Sequence, residues 1–114
     1  MKPGMSDGRK SFPRRGEVYW VALDPTVGRE IKKTRPALVV SPDEMNQAVG
    51  TVVMAPITST VRDFPTRYTI RLQRKIASVA LDQIRTVSVE RLLKKMTTID
   101  PRPAIAILRE MFAD

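Results

Sequence analysis

Short runs of β-forming residues, each closed by a turn signal, succeed one another along most of this chain, and only its last stretch carries a helical period. Strands first and a helix late imply a small antiparallel sheet that curls into a barrel. Glu17 to Leu23 (EVYWVAL) alternates and ends at the turn signal Asp24-Pro25. After the polar loop TVGREIKKT, residues 35–41 read as a second strand on the apolar run Ala37-Leu38-Val39-Val40. Ser41 as N-cap and Pro42 at the first helical position predict a short helix over SPDEMNQA. TVVMAPIT is a third strand, expected to end near Pro56, and RYTIRL is a fourth. SVALDQIRTVS is a fifth, broken near Asp82-Gln83 by a bulge or kink. VERLLKK is expected to make a helical turn and MTTI a closing strand. Asp100 before Pro101 caps a final helix, PRPAIAILREMF, in which Ala104, Ile105, Leu108, Met111 and Phe112 share one face.

At 114 residues the chain has room for one core. Residues 1–13 lack the apolar centre of a signal peptide, and their Gly, Pro, Ser and Lys content predicts a disordered tail ahead of a single domain over 14–114. No run approaches the roughly 18 apolar residues of a membrane span. The expected location is the cytoplasm, with no membrane partner.

Charge and two missing residue types narrow the chemistry. Twenty Lys and Arg against 12 Asp and Glu give a net charge of +8, which suits a polyanion whose condensed counterions are released on binding. A merely solvated basic surface is the plainer alternative. The chain has no Cys, which excludes disulfides, thiolate metal sites and cysteine nucleophiles. It has no His, which removes the commonest metal ligand and the commonest general base near neutral pH. A ribonuclease built on a histidine pair is therefore excluded. Any catalysis falls to Arg, Lys, Asp, Glu, Ser, Thr or Tyr, and neither metal nor cofactor is expected.

Three places could carry such chemistry. The loop GREIKKTR concentrates Arg29, Lys32, Lys33 and Arg35 around one acid, Glu30. It reads as a phosphate clamp or as a surface loop with solvated charges. Arg35 differs from its neighbours because Pro36 holds it extended and the apolar run anchors it, so its guanidinium stands on a rigid mount. It suits either a phosphate or an acid such as Glu30. Thr58 and Ser59 in APITS leave the core at the end of a strand, where such residues are also ordinary turn formers. Asp82, Gln83 and Arg85 interrupt an apolar segment, either as a solvent-side bulge or as part of a pocket.

The stretches RRGEVYWVALDPTVGREIKKTRPALVVSP, APITS and VALDQIRTV, in that order and at that spacing, resemble the MazF/PemK family of toxin endoribonucleases. The likeness runs from about Arg15 to the C-terminus and rests on five short motifs in register. It implies a small SH3-like barrel with a C-terminal helix, shared with CcdB-type toxins, and a homodimer. It also implies metal-independent, sequence-specific cleavage of single-stranded RNA, restrained by a cognate acidic antitoxin. By resemblance Arg35 is the principal catalytic arginine, Thr58 the catalytic threonine and Glu30 an acid of the same loop. Arg29, Lys32, Lys33, Ser59, Arg62, Asp82, Gln83 and Arg85 are then expected to meet RNA. PemK-type members carry an arginine two residues before the aspartate of DQ. Ala80 stands there in this chain, which favours the MazF-type pair Arg35 and Thr58. The competing expectation is a CcdB-like toxin that binds DNA gyrase without catalysis.

Overall fold

Among the described residues, seven antiparallel strands form one curled sheet in the order β4-β5-β3-β2-β1-β7, with β6 paired to β3 off that path. The strands are β1 Glu17–Ala22, β2 Thr34–Val39, β3 Thr51–Thr58, β4 Arg67–Leu72, β5 Lys75–Ala80, β6 Arg85–Ser88 and β7 Leu92–Thr98. The helices are α1 Asp43–Val49 and α2 Arg102–Met111. This computed structural model describes residues 11–24, 26–31 and 33–114, so most of the expected tail, Pro25 and Lys32 lie outside the described residues. Pro13 is buried, and its carbonyl accepts from Asn46 Nδ2 at 2.9 Å.

The central strands read as unbroken apolar runs because both of their faces are covered. From β2 and β3, Leu38, Ala55 and Ile57 turn to the core that α2 closes with Ala104, Ile105, Leu108 and Met111. Ala37, Val39, Val52 and Met54 turn the other way, to a second core completed by Val21, Leu23 and Val87. Curling of the sheet on itself supplies that second cover.

Pro56 does not end β3 but lies within it, opposite Ala37. The N–H of Val40 donates to the carbonyl of Val53, and bonded pairs alternate along the ladder, so Ala37–Pro56 is a non-bonded pair. The missing N–H of Pro56 therefore faces away from β2. On that side β3 changes partner, from β6 over Thr51–Met54 to β5 over Ile57–Thr58. The proline costs no ladder bond there.

Three local expectations need correction. VERLLKK is not a helical turn beyond the 3-10 segment Val89–Arg91; Leu92 to Lys95 belong to β7, where Leu92 pairs with Val21. Ser41 does not cap α1, which starts after Pro42; its hydroxyl bonds Asn46 Oδ1 and the N–H of Val53, fastening the helix to β3. Phe112 lies past the end of α2 and is 72% exposed, off the face formed by the other four residues. Asp100 precedes the helix by two residues, and its carboxylate still accepts the N–H of Arg102.

The turn between β4 and β5 is the two-residue hairpin Gln73-Arg74, with both φ angles positive at 49° and 70°. Glycine is the residue such a turn favours at its second position. Arg74→Gly is expected to relieve the Cβ strain and raise the melting temperature by about 2–4 °C, roughly half a kcal/mol after the entropy cost of glycine. A lower melting temperature in calorimetry would mean that the arginine side chain outweighs the strain.

Candidate active site

The β2–β3 register brings Arg35 and Thr58 together. The β2–β3 ladder ends at the pair Ala37–Pro56, and Arg35 lies two residues before that pair on β2 as Thr58 lies two residues after it on β3. Both line one hollow of about 370 Å³ at the end of the sheet, with Trp20, Ser59, Gln73 and Lys75. Arg35 is half-buried and sits across from Val21 of β1. Thr58 is 7% exposed, and its Oγ1 accepts the N–H of Thr60 at 3.1 Å. With that lone pair engaged, the hydroxyl proton remains available to a ligand. A fixed fork of guanidinium N–H groups beside a hydroxyl donor suits a phosphodiester.

The second expected group lines a neighbouring hollow of about 760 Å³, formed by Arg29, Glu30, Asp82, Gln83, Arg85 and the ring of Pro56 among others. Consecutive residues of β3 mark the boundary, Pro56 on this hollow and Ile57-Thr58 on the other. Glu30 Oε1 accepts the N–H of Val27 at 2.6 Å, within its own loop. Lys33, in the left-handed region at φ 71°, closes the loop: its N–H donates to Asp24 Oδ1 and its carbonyl accepts from Leu23. Lys32 lies outside the described residues. Arg62 stands exposed between β3 and β4 and lines neither hollow.

Asp82 is firmly committed. Arg67 Nε and Nη2 donate to its two carboxylate oxygens at 2.9 and 3.0 Å, and Thr66 adds a third bond at 3.1 Å. The Arg67 hydrogen bonds hold the Asp82 carboxyl below the usual aspartate range, against the opposing effect of burial. The pair in turn raises the pKa of Arg67, whose guanidinium also lies 4.9 Å from the Phe64 ring centroid. Asp82 therefore stays ionised and tied to the start of β4.

Sequence reasoning missed how many side chains are spent on the backbone of the β1–β2 loop. Arg85 Nη1 donates to the carbonyl of Leu23 at 3.0 Å. Arg91 donates to the carbonyls of Ala22 and Asp24. Gln83 accepts from the N–H of Ile31 at 2.8 Å and donates to the carbonyl of Arg29 at 3.4 Å. These partners are 52 to 69 residues away in sequence, and no local pattern marks them. Trp20, Gln73 and Lys75 were also missed as lining of the Arg35 hollow. The alternation of β1 could have flagged Trp20, which shares a face with Val18.

Known proteins share this fold. Residues 14–111 match the model of the PemK-like, MazF-like toxins of type II toxin–antitoxin systems. Endoribonuclease EndoA of Bacillus subtilis is 36% identical over 93 residues, spanning 76% of this chain and 80% of that protein. The MazF structure from Deinococcus radiodurans superposes with a TM-score of 0.72 at 27% identity, covering 89% of this chain and 93% of the other. A mycobacterial endoribonuclease solved in complex with its cognate antitoxin also superposes, with a TM-score of 0.72 at 24% identity over 86% of this chain and 92% of its own. The chain belongs to the PemK-like, MazF-like toxins of type II toxin–antitoxin systems.

Proposed function

We propose that this toxin is a sequence-specific endoribonuclease that cleaves single-stranded RNA without a metal ion, through Arg35 and Thr58. The observation that carries the reading is the placement of these two side chains, from adjacent strands, on one hollow. The ribonucleotide 2′-OH attacks the adjacent phosphorus, and the bond to the leaving 5′-oxygen breaks. Arg35 supports the charge that grows on the phosphorane, through paired N–H donation to its non-bridging oxygens. Thr58 donates a hydrogen bond from its hydroxyl to the same phosphate and orients it, and the departing 5′-oxygen takes a proton from water as the 2′-OH loses its own. Glu30 serves as the base for RNA that spans both hollows. Metal independence is supported by the absence of His and Cys from the chain, which removes the commonest transition-metal ligands.

The partners in this reading are RNA, a second copy of the chain that contributes to the RNA site, and an acidic antitoxin attracted by the same +8 charge. The compartment is the cytoplasm; no helix among the described residues is long and apolar enough to cross a membrane. Purified toxin incubated with long mixed-sequence RNA in excess EDTA is expected to give discrete fragments. Intact RNA, together with inhibition of DNA gyrase, would instead identify a CcdB-like binder. Activity lost on chelation and restored by Mg²⁺ would overturn the metal-free mechanism.

A further inference from the structure

The 3-10 turn Leu81–Gln83 joins β5 to β6 and touches both loops that flank the hollows. Leu81 is rooted in the core, and its N–H donates to the carbonyl of Thr66. Asp82 holds Arg67 and Thr66, at the close of the loop that follows β3. Gln83 holds the loop between β1 and β2.

The two groups that Gln83 binds have a particular relation to Glu30. The carbonyl of Arg29 belongs to the peptide unit before the Glu30 Cα, and the N–H of Ile31 belongs to the unit after it. A single side-chain amide therefore pins both peptide planes around one residue. Fixing both planes fixes the Glu30 backbone dihedrals and with them the direction of its Cα–Cβ bond. A primary amide suits this task, accepting at its oxygen and donating at its nitrogen at the same time. Among the described residues of the loop, Glu30 is tied only to Val27: its N–H donates to the Val27 carbonyl and its carboxylate accepts the Val27 N–H. Gly28 in that same turn sits at φ 60°, so the two bonds from Gln83 are what join the turn to the rest of the fold.

We infer that Gln83 is a positioning residue that aims Glu30 into the hollow it shares with Asp82 and Arg85, and is not itself a contact to RNA. This inference rests on the ribonuclease reading above. Asp82 and Gln83 then act together, holding the two loops at a set spacing.

The test uses Gln83→Leu, which removes both bonds at similar volume, and Gln83→Glu, which keeps the acceptor for Ile31 but loses the donor to Arg29. Amide exchange at Ile31 is expected to quicken about tenfold in Gln83→Leu, the scale of one lost hydrogen bond. Single-turnover cleavage at saturating RNA should fall about 10- to 100-fold, the scale of a misplaced catalytic group, while RNA affinity changes by no more than about twofold. Gln83→Glu should recover Ile31 protection and part of the rate. Unchanged exchange at Ile31 would overturn the clamp, and faster exchange with a full cleavage rate would overturn its role in positioning. Weakened RNA binding with an intact saturated rate would make Gln83 an RNA contact instead. If the leucine variant does not fold, Gln83→Met removes the same two bonds and decides on the same readouts. Exchange needs no RNA, so a wild-type protein that cleaved nothing would refute the ribonuclease reading and leave the clamp standing.

Discussion

Arg35→Ala is expected to slow single-turnover cleavage of RNA by about 10²–10³-fold, the usual scale for removing a donor aimed at developing negative charge. Affinity for RNA should fall far less, because Arg29, Lys32, Lys33 and Arg62 still offer charge to the backbone. Arg35→Lys should restore only part of the rate, since an ammonium keeps the charge and loses the two-pronged geometry. Melting should be little affected in either variant. Arg35 lies at the start of β2, outside the buried set that begins at Ala37. Near-wild-type cleavage by the alanine variant would move the role to Lys75, which lines the same hollow. A collapse in melting temperature would instead make Arg35 a structural residue.

Asp82→Ala is expected to cost far more stability than either Arg35 variant. The Arg67 side chain is only 9% exposed, and removing its carboxylate partner strands a guanidinium that is mostly out of water. Asp82 itself is 31% exposed, so solvent moderates the loss to about 2 kcal/mol, or roughly 10 °C in melting temperature. The pH dependence follows from the depressed carboxyl. Its contribution is fully present above the ordinary aspartate value of 3.8 and disappears as pH falls through the lower folded value. Wild-type protein should thus lose part of its stability below about pH 4, and Asp82→Asn should lack that part of the loss. Urea unfolding at pH 7 and pH 3 measures both effects. Equal stability of Asp82→Ala and wild type at pH 7 would show that the ion pair contributes nothing net.

Most strands could be read from the sequence because their apolar runs and turn signals are local, and the break at Asp82-Gln83 could be read from polarity alone. Its consequence could not: one expected strand is really β5, a 3-10 turn and β6, paired to different stretches of β3. Leu92 to Lys95 misled in the opposite direction. Good helix formers there are drawn into β7 by pairing with β1, a tertiary effect outweighing local propensity. Arg35 was legible because Pro36 and the apolar run constrain it directly. Its place beside Thr58 on one hollow depends on the pairing of β2 with β3, which local sequence does not encode. Gln83 was singled out as polar in an apolar setting, but its partners at Arg29 and Ile31 are visible only in the folded chain.

The most direct test of 2′-OH attack is the chemistry of the ends left by cleavage. That route leaves a 2′,3′-cyclic phosphate or its opened 3′-phosphate on the upstream fragment, and a 5′-hydroxyl on the downstream one. Mass spectrometry of fragments produced in excess EDTA should find those ends, and a matched oligonucleotide with 2′-deoxyribose at the cut position should stay intact. Fragments ending in 3′-hydroxyl and 5′-phosphate, or cutting of the deoxy substrate at the same place, would contradict it, because water rather than the 2′-OH would then be the nucleophile.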